Sequence, residues 1–160
     1  MLTSDSPFTP SRNWGVILCL IVLAAVALRV YWAAGFMPKD DPEFLKGAYQ
    51  MLQGTFEHDR YDGPPVIPVR TGIVLPTAAA IALFGLGEAP IAIYPLVMSA
   101  VMIVLIYLFA AMMFGHEAAI IASVIWIFLP MEIEIATTLF PEVPMTAFAF
   151  IGIYCIYVAR

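Results

Sequence analysis

The sequence predicts an all-α fold, a multipass transmembrane helical bundle with juxtamembrane helices in its first external loop. Three observations carry that prediction. Hydrophobic residues make up 62% of the chain, charged residues only 12%, and mean hydropathy is +0.94, a balance foreign to soluble domains. Several uncharged runs reach or approach the ~20 residues that a bilayer-spanning helix needs. The charges gather between those runs, most densely in KDDPEFLKGAYQMLQG at residues 39–54. The net charge of −5 and the scatter of the seven basic residues argue against a nucleic-acid partner. Cys19 and Cys155 lie inside apolar runs without disulfide or metal spacing, so both read as packing residues.

Residues 1–12 are polar and contain Pro7 and Pro10, which suits a disordered cytoplasmic tail. The run 14–36 spans roughly 34 Å at about 1.5 Å per residue, enough for a hydrocarbon core of about 30 Å. It exceeds the ~7–15 residues of a secretory h-region and reads as a retained anchor. Ala33, Ala34 and Gly35 leave cleavage as the lesser alternative. Its one charge, Arg29, lies about two turns from the far end. There it can snorkel to the headgroups beside Tyr31 and Trp32, or reach for a lipid phosphate.

Residues 37–90 form the external loop. Asp41 as N-cap, Pro42 at the first helical position, Glu43 near the dipole and Gly54 as the stop predict a helix over about 42–53. Phe44, Leu45, Ala48, Tyr49 and Leu52 give that helix one apolar face, which lies on the membrane or covers the bundle. A second juxtamembrane helix is expected over about 73–85, interrupted by Pro76 and short for a crossing. Further crossings are expected at 91–114, 118–136 and 143–159. They are separated by the turn at Gly115, His116 and Glu117 and by TTLFPEVP at 137–144. Four crossings place Asp40, Asp41 and Glu142 on one side, whereas a fifth through 73–85 parts them. The Lys and Arg distribution does not decide, so we adopt four on the functional argument.

Asp41 has a structural explanation as an N-cap, worth about 1 kcal/mol. Asp40 has none, leaving its carboxylate for a cavity or for solvent. Glu132, Glu134 and Glu142 bracket the outer end of a short apolar helix, where an acid is costly unless it meets a polar cavity or partner. Pro141 and Pro144 fix the backbone around Glu142. Paired carboxylates at a bilayer surface, with Arg60 or Arg70 to neutralise phosphate, suit a transfer reaction on a lipid-phosphate substrate. His58 and Asp59 read as a solvated turn, and His116 as a helix connection. No spacing specifies a metal, so the cofactor stays open, a divalent metal included; no Gly-rich phosphate loop is present.

The order of ALRVYW, KDDPEFLKGAYQMLQG, a Pro and Arg stretch into IVLPTAAAIALFG, then IYLFAAMMFG and LFPEVP resembles the amino-terminal part of GT-C superfamily glycosyltransferases. The similar group contains the protein O-mannosyltransferases and the lipid A aminoarabinose transferases, and the likeness covers residues 28–160. In that family an Asp-Glu pair opens the first external loop, followed by an aromatic, an Ala, a Leu and a Gly. Asp40 and Asp41 stand at the pair here, with Phe44, Ala48, Leu52 and Gly54 in step.

The resemblance implies that Asp40 is the catalytic base or acceptor-orienting carboxylate. Asp41 then takes the second catalytic position, with Asp where the family has Glu. Glu142 is implied as a donor-site acid, Arg70 as the phosphate contact standing in for a basic residue before displaced prolines, and Arg60 as its neighbour in that task. The implied reaction is inverting transfer from a polyprenyl-phosphate-linked sugar to an extracytoplasmic acceptor, in the cell (inner) membrane among membrane lipids. Homo- or hetero-oligomers are both compatible with it. Family members are several times longer, so these 160 residues read as an N-terminal portion, inactive in isolation. The rival is a non-catalytic membrane protein, a transporter part or assembly subunit, whose acids form an ion or proton path. Broken midplane helices and inverted repeats mark such proteins, and this sequence has no repeat.

Overall fold

A computed structural model describes residues 12–33, 35, 41–56 and 71–159. Within them the chain is helical and no strand forms: α1 (Arg12–Tyr31), α2 (Asp41–Leu52), α3 (Thr71–Phe84), α4 (Glu88–Phe114), α5 (His116–Ile127), α6 (Pro130–Ile135) and α7 (Glu142–Val158). Two of these, α1 and α4, are long and apolar enough to cross a membrane, and α3, α5 and α7 are shorter apolar helices.

Local chemistry sets the breaks. Gly54, at φ 67°, closes α2: its N–H donates to Met51 O and the Thr55 N–H to Gln50 O, at 3.2 and 2.9 Å, the paired bonds of a left-handed glycine stop. Gly54→Ala is expected to cost about 1 kcal/mol through its left-handed backbone, read as a lower melting temperature in detergent. Gly115, at φ 90°, turns the chain between α4 and α5. The crossing expected at 118–136 is two helices, because Pro130 has no N–H to continue α5 and holds Leu129 extended at φ −67°, ψ 116°. Helix α1 ends at Tyr31, short of the expected residue 36, which lies outside the described residues.

Contacts fix the directions of the helices. At one end Trp14 of α1 stacks on His116, with centroids 4.8 Å apart, and the Tyr107 hydroxyl of α4 lies 3.0 Å from His116 Nδ1. Midway, Ala25, Ile103 and Ile127 share a core. At the other end the last turn of α1 meets the first turns of α4 beside Asp41 and Thr137. Helix α7 starts there and runs back along α4, where Phe109 meets Phe150 and Tyr154 edge-on at 5.7 Å. Thus α1, α4, α5 with α6, and α7 run alternately between a His116 end and an Asp41 end.

Helices α2 and α3 sit at the Asp41 end. Phe44 and Ala48 of α2 share a core with Ile73, Val74, Ala78 and Ile81 of α3, closed by Ile91 and Leu139. Ile91 belongs to the first turn of α4 and Leu139 to the turn before α7, so both join this core at the Asp41 end. Elsewhere the outward faces are apolar, with Leu23, Val97, Ile125 and Ile156 each more than half exposed, as for helices that are hydrophobic all round. Cys19 and Cys155 are free and exposed. They occupy this outer face and not the core position expected for packing residues.

Candidate functional site

The chain between α6 and α7 is buried, with Ala136, Thr138 and Leu139 all at 0% exposure. A buried loop must find partners for its backbone polar groups. The Thr138 hydroxyl donates to Ile135 O at 3.1 Å, and the Leu139 N–H donates to Asp41 Oδ1 at 2.9 Å. Asp41, itself 1% exposed, therefore ties the start of α2 to a turn 98 positions along the chain. A carboxylate acceptor makes this the stronger, charge-assisted kind of bond. N-capping is the role that the local sequence offers Asp41, and nothing in that local spacing reveals its bond to Leu139.

Beside this bond lies a cavity of about 370 Å³. Val30 of α1, Ala33 just beyond it, and Ile91 and Leu96 of α4 supply apolar walls, and Asp41, Glu88 and Thr137 are its polar groups. Apolar walls with a few convergent polar groups are the usual form of a ligand site. Glu88 was not singled out from the sequence. Its place in the first turn of α4 gives it a sufficient role at the helix dipole, and the GLGEAP break was the one available signal.

Glu142 begins α7, three residues beyond Leu139. It lines a different cavity, about 270 Å³, with Glu134, Met131, Ile135 and Phe140. The structure thus brings Asp41 to the turn that leads into Glu142 but turns the two acids toward separate spaces. Asp40, Arg60 and Arg70, together with His58 and Asp59, lie outside the described residues. Among the described residues no group of three His, Cys, Asp or Glu side chains is placed to hold a metal ion.

Arg29 departs from the snorkelling expected of it. It is 0% exposed, with Nη1 donating to Ala25 O at 3.3 Å. Its Nε and Nη2 are buried without a hydrogen-bond partner, as is Oε2 of Glu132 on α6.

Among known proteins, the family model described as dolichyl-phosphate-mannose-protein mannosyltransferase matches residues 71–160, more than half of the chain. No curated protein and no solved structure matches.

Proposed function

The chain belongs to the dolichyl-phosphate-mannose-protein mannosyltransferase family, and from that premise we propose that it serves an inverting membrane glycosyltransferase of GT-C type. The donor is a sugar on a polyprenyl phosphate, and the acceptor lies outside the cytoplasm. The observation that carries this reading is the junction at the Asp41 end. There a buried carboxylate binds the turn before Glu142, beside a cavity whose apolar walls suit a lipid chain.

Asp40 is the base in this scheme. It removes the proton of the acceptor hydroxyl while that oxygen forms a bond to the anomeric carbon of the sugar. The bond from that carbon to the phosphate oxygen breaks on the opposite face, and the lipid phosphate leaves with the bonding pair. Arg70, seconded by Arg60, offsets its charge. Asp41 is a positioning group that holds the start of α2 on Leu139. Glu142 belongs to the donor side of the site. The test is transfer from a polyprenyl-phosphate-linked sugar by the full-length protein in membranes. Failure to release polyprenyl phosphate when acceptor and donor are both supplied sinks the reading.

The same scheme requires four crossings, with α2 and α3 on the extracytoplasmic face. Their shared core at the Asp41 end supports this arrangement. Single cysteines replacing Tyr49, Leu83 and Glu117, in a chain lacking Cys19 and Cys155, test it by labelling intact cells. Positions 49 and 83 are expected to react from outside and 117 only after permeabilisation. Reaction of 49 and 83 from opposite sides makes α3 a fifth crossing and parts the acids.

A further inference from the structure

Along an outward side of α1 two cavities run into one. The first, about 410 Å³, lies between Ile17, Leu20 and Ala24 of α1 and Val124 and Ile127 of α5. The second, about 440 Å³, lies between Trp32 at the end of α1 and Pro130, Ile133 and Glu134 of α6. Leu28 and Phe128 line both, so the two form a single groove. From Ile17 to Trp32 it extends roughly 22 Å at about 1.5 Å per residue, past the ~15 Å of one leaflet's hydrocarbon. Leu20 and Phe128 are more than half exposed, which leaves the groove open to the side. Its walls are apolar until the Asp41 end, where Trp32 and Glu134 line it together.

A hydrocarbon chain gains little by leaving its neighbours for such a groove, because lipid tails are as apolar as leucine. Selection must come from the head of the molecule. The polar end offers one carboxylate, Glu134, and one indole, Trp32, which meets Tyr31 edge-on at 5.0 Å. A tryptophan is also the side chain that favours the headgroup level of a membrane. Glu134 lines the cavity of Glu142 as well, so a second carboxylate deepens the negative field at this end. Among the described residues no cationic side chain lines either cavity. A carboxylate beside an aromatic ring suits an ammonium group, whereas an anionic head meets only repulsion.

We propose that this groove binds an aminophospholipid of the leaflet at the Asp41 end, with one acyl chain along α1 and α5 and its ammonium between Glu134 and Trp32. Nothing in this depends on the glycosyltransferase reading. Both side chains of the polar end are exposed, so they can be changed without opening the core.

The test places the full-length protein in nanodiscs with trace phosphatidylethanolamine or phosphatidylglycerol that carries a photoreactive group on one acyl chain. After illumination the labelled residues are mapped by mass spectrometry. The phosphatidylethanolamine probe is expected to label Leu20 and Val124 about 10-fold more than the phosphatidylglycerol probe, the weight of one well-placed ammonium contact. Glu134→Gln and Trp32→Leu should each remove that preference at an unchanged melting temperature, and Glu134→Lys should reverse it. Ala24→Phe, which fills the groove from an exposed position, should block both probes. If one of the polar variants fails to fold, the other carries the test. Labelling spread evenly over Leu23, Val97 and Ile156 overturns the proposal, as does a preference that survives Glu134→Gln and Trp32→Leu. A parent protein whose groove takes no label has it filled by another part of the chain or a second copy, and a label displaced by polyprenyl phosphate gives the groove to the sugar donor. Either result overturns the proposal too.

Discussion

Replacing Asp40 with Asn in the full-length protein is expected to lower sugar transfer by about 100- to 10,000-fold, the usual contribution of a positioned general base. Asn keeps the size of the side chain and much of its hydrogen bonding but cannot take up the acceptor proton. Folding should be untouched, because the bond that anchors this end of α2 belongs to Asp41 and Leu139. The measurement is release of polyprenyl phosphate at saturating donor, alongside the melting temperature in detergent. Activity should fall while the melting temperature stays put. Transfer at the parent rate removes Asp40 from the chemistry and leaves the rival reading, a membrane protein whose acids serve ion passage or assembly, the better account.

Signals confined to one helix were legible in the sequence, and signals that depend on a neighbour were not. Asp41 with Pro42 marks the start of α2 and Gly54 its end, because both act within one turn of the backbone. The apolar runs show themselves by composition alone. The apolar run from Ala118 to Met131 reads as one crossing carried on to Ala136, where Pro130 divides it into two helices. Arg29 misleads for a clearer reason. Its distance from the helix end permits snorkelling, and its burial comes from helices packed against α1, which the spacing within α1 cannot report. Glu88 escaped notice because helix starts commonly carry an acid, and its cavity is assembled from α1, α4 and the turn before α7. Periodicity cannot report which helix ends meet. For the same reason the separate spaces faced by Asp41 and Glu142 had no trace in their spacing.

Asp41→Ala is expected to cost about 1–3 kcal/mol, the penalty for leaving a buried donor without its acceptor. It should also lower transfer about 100-fold through misplacement of the turn. The donor is the N–H of Leu139, a residue at 0% exposure, and truncation to Ala removes its carboxylate acceptor. Asp41→Asn tests the cause, since its amide oxygen still accepts from Leu139 and only the charge assistance is lost. It should recover most of the stability. Asp41→Glu keeps the charge but adds a methylene at a site that is 1% exposed, where overpacking typically costs about 1–3 kcal/mol. It should therefore melt nearer to the Ala variant than to the Asn variant. That order, with Asn best and Glu close to Ala, separates a bond that depends on reach from one that depends on charge. If charge were what mattered, Glu would outrank Asn. If Ala melted with the parent, the turn would be held by its own packing and Asp41 would be free for a direct part in catalysis.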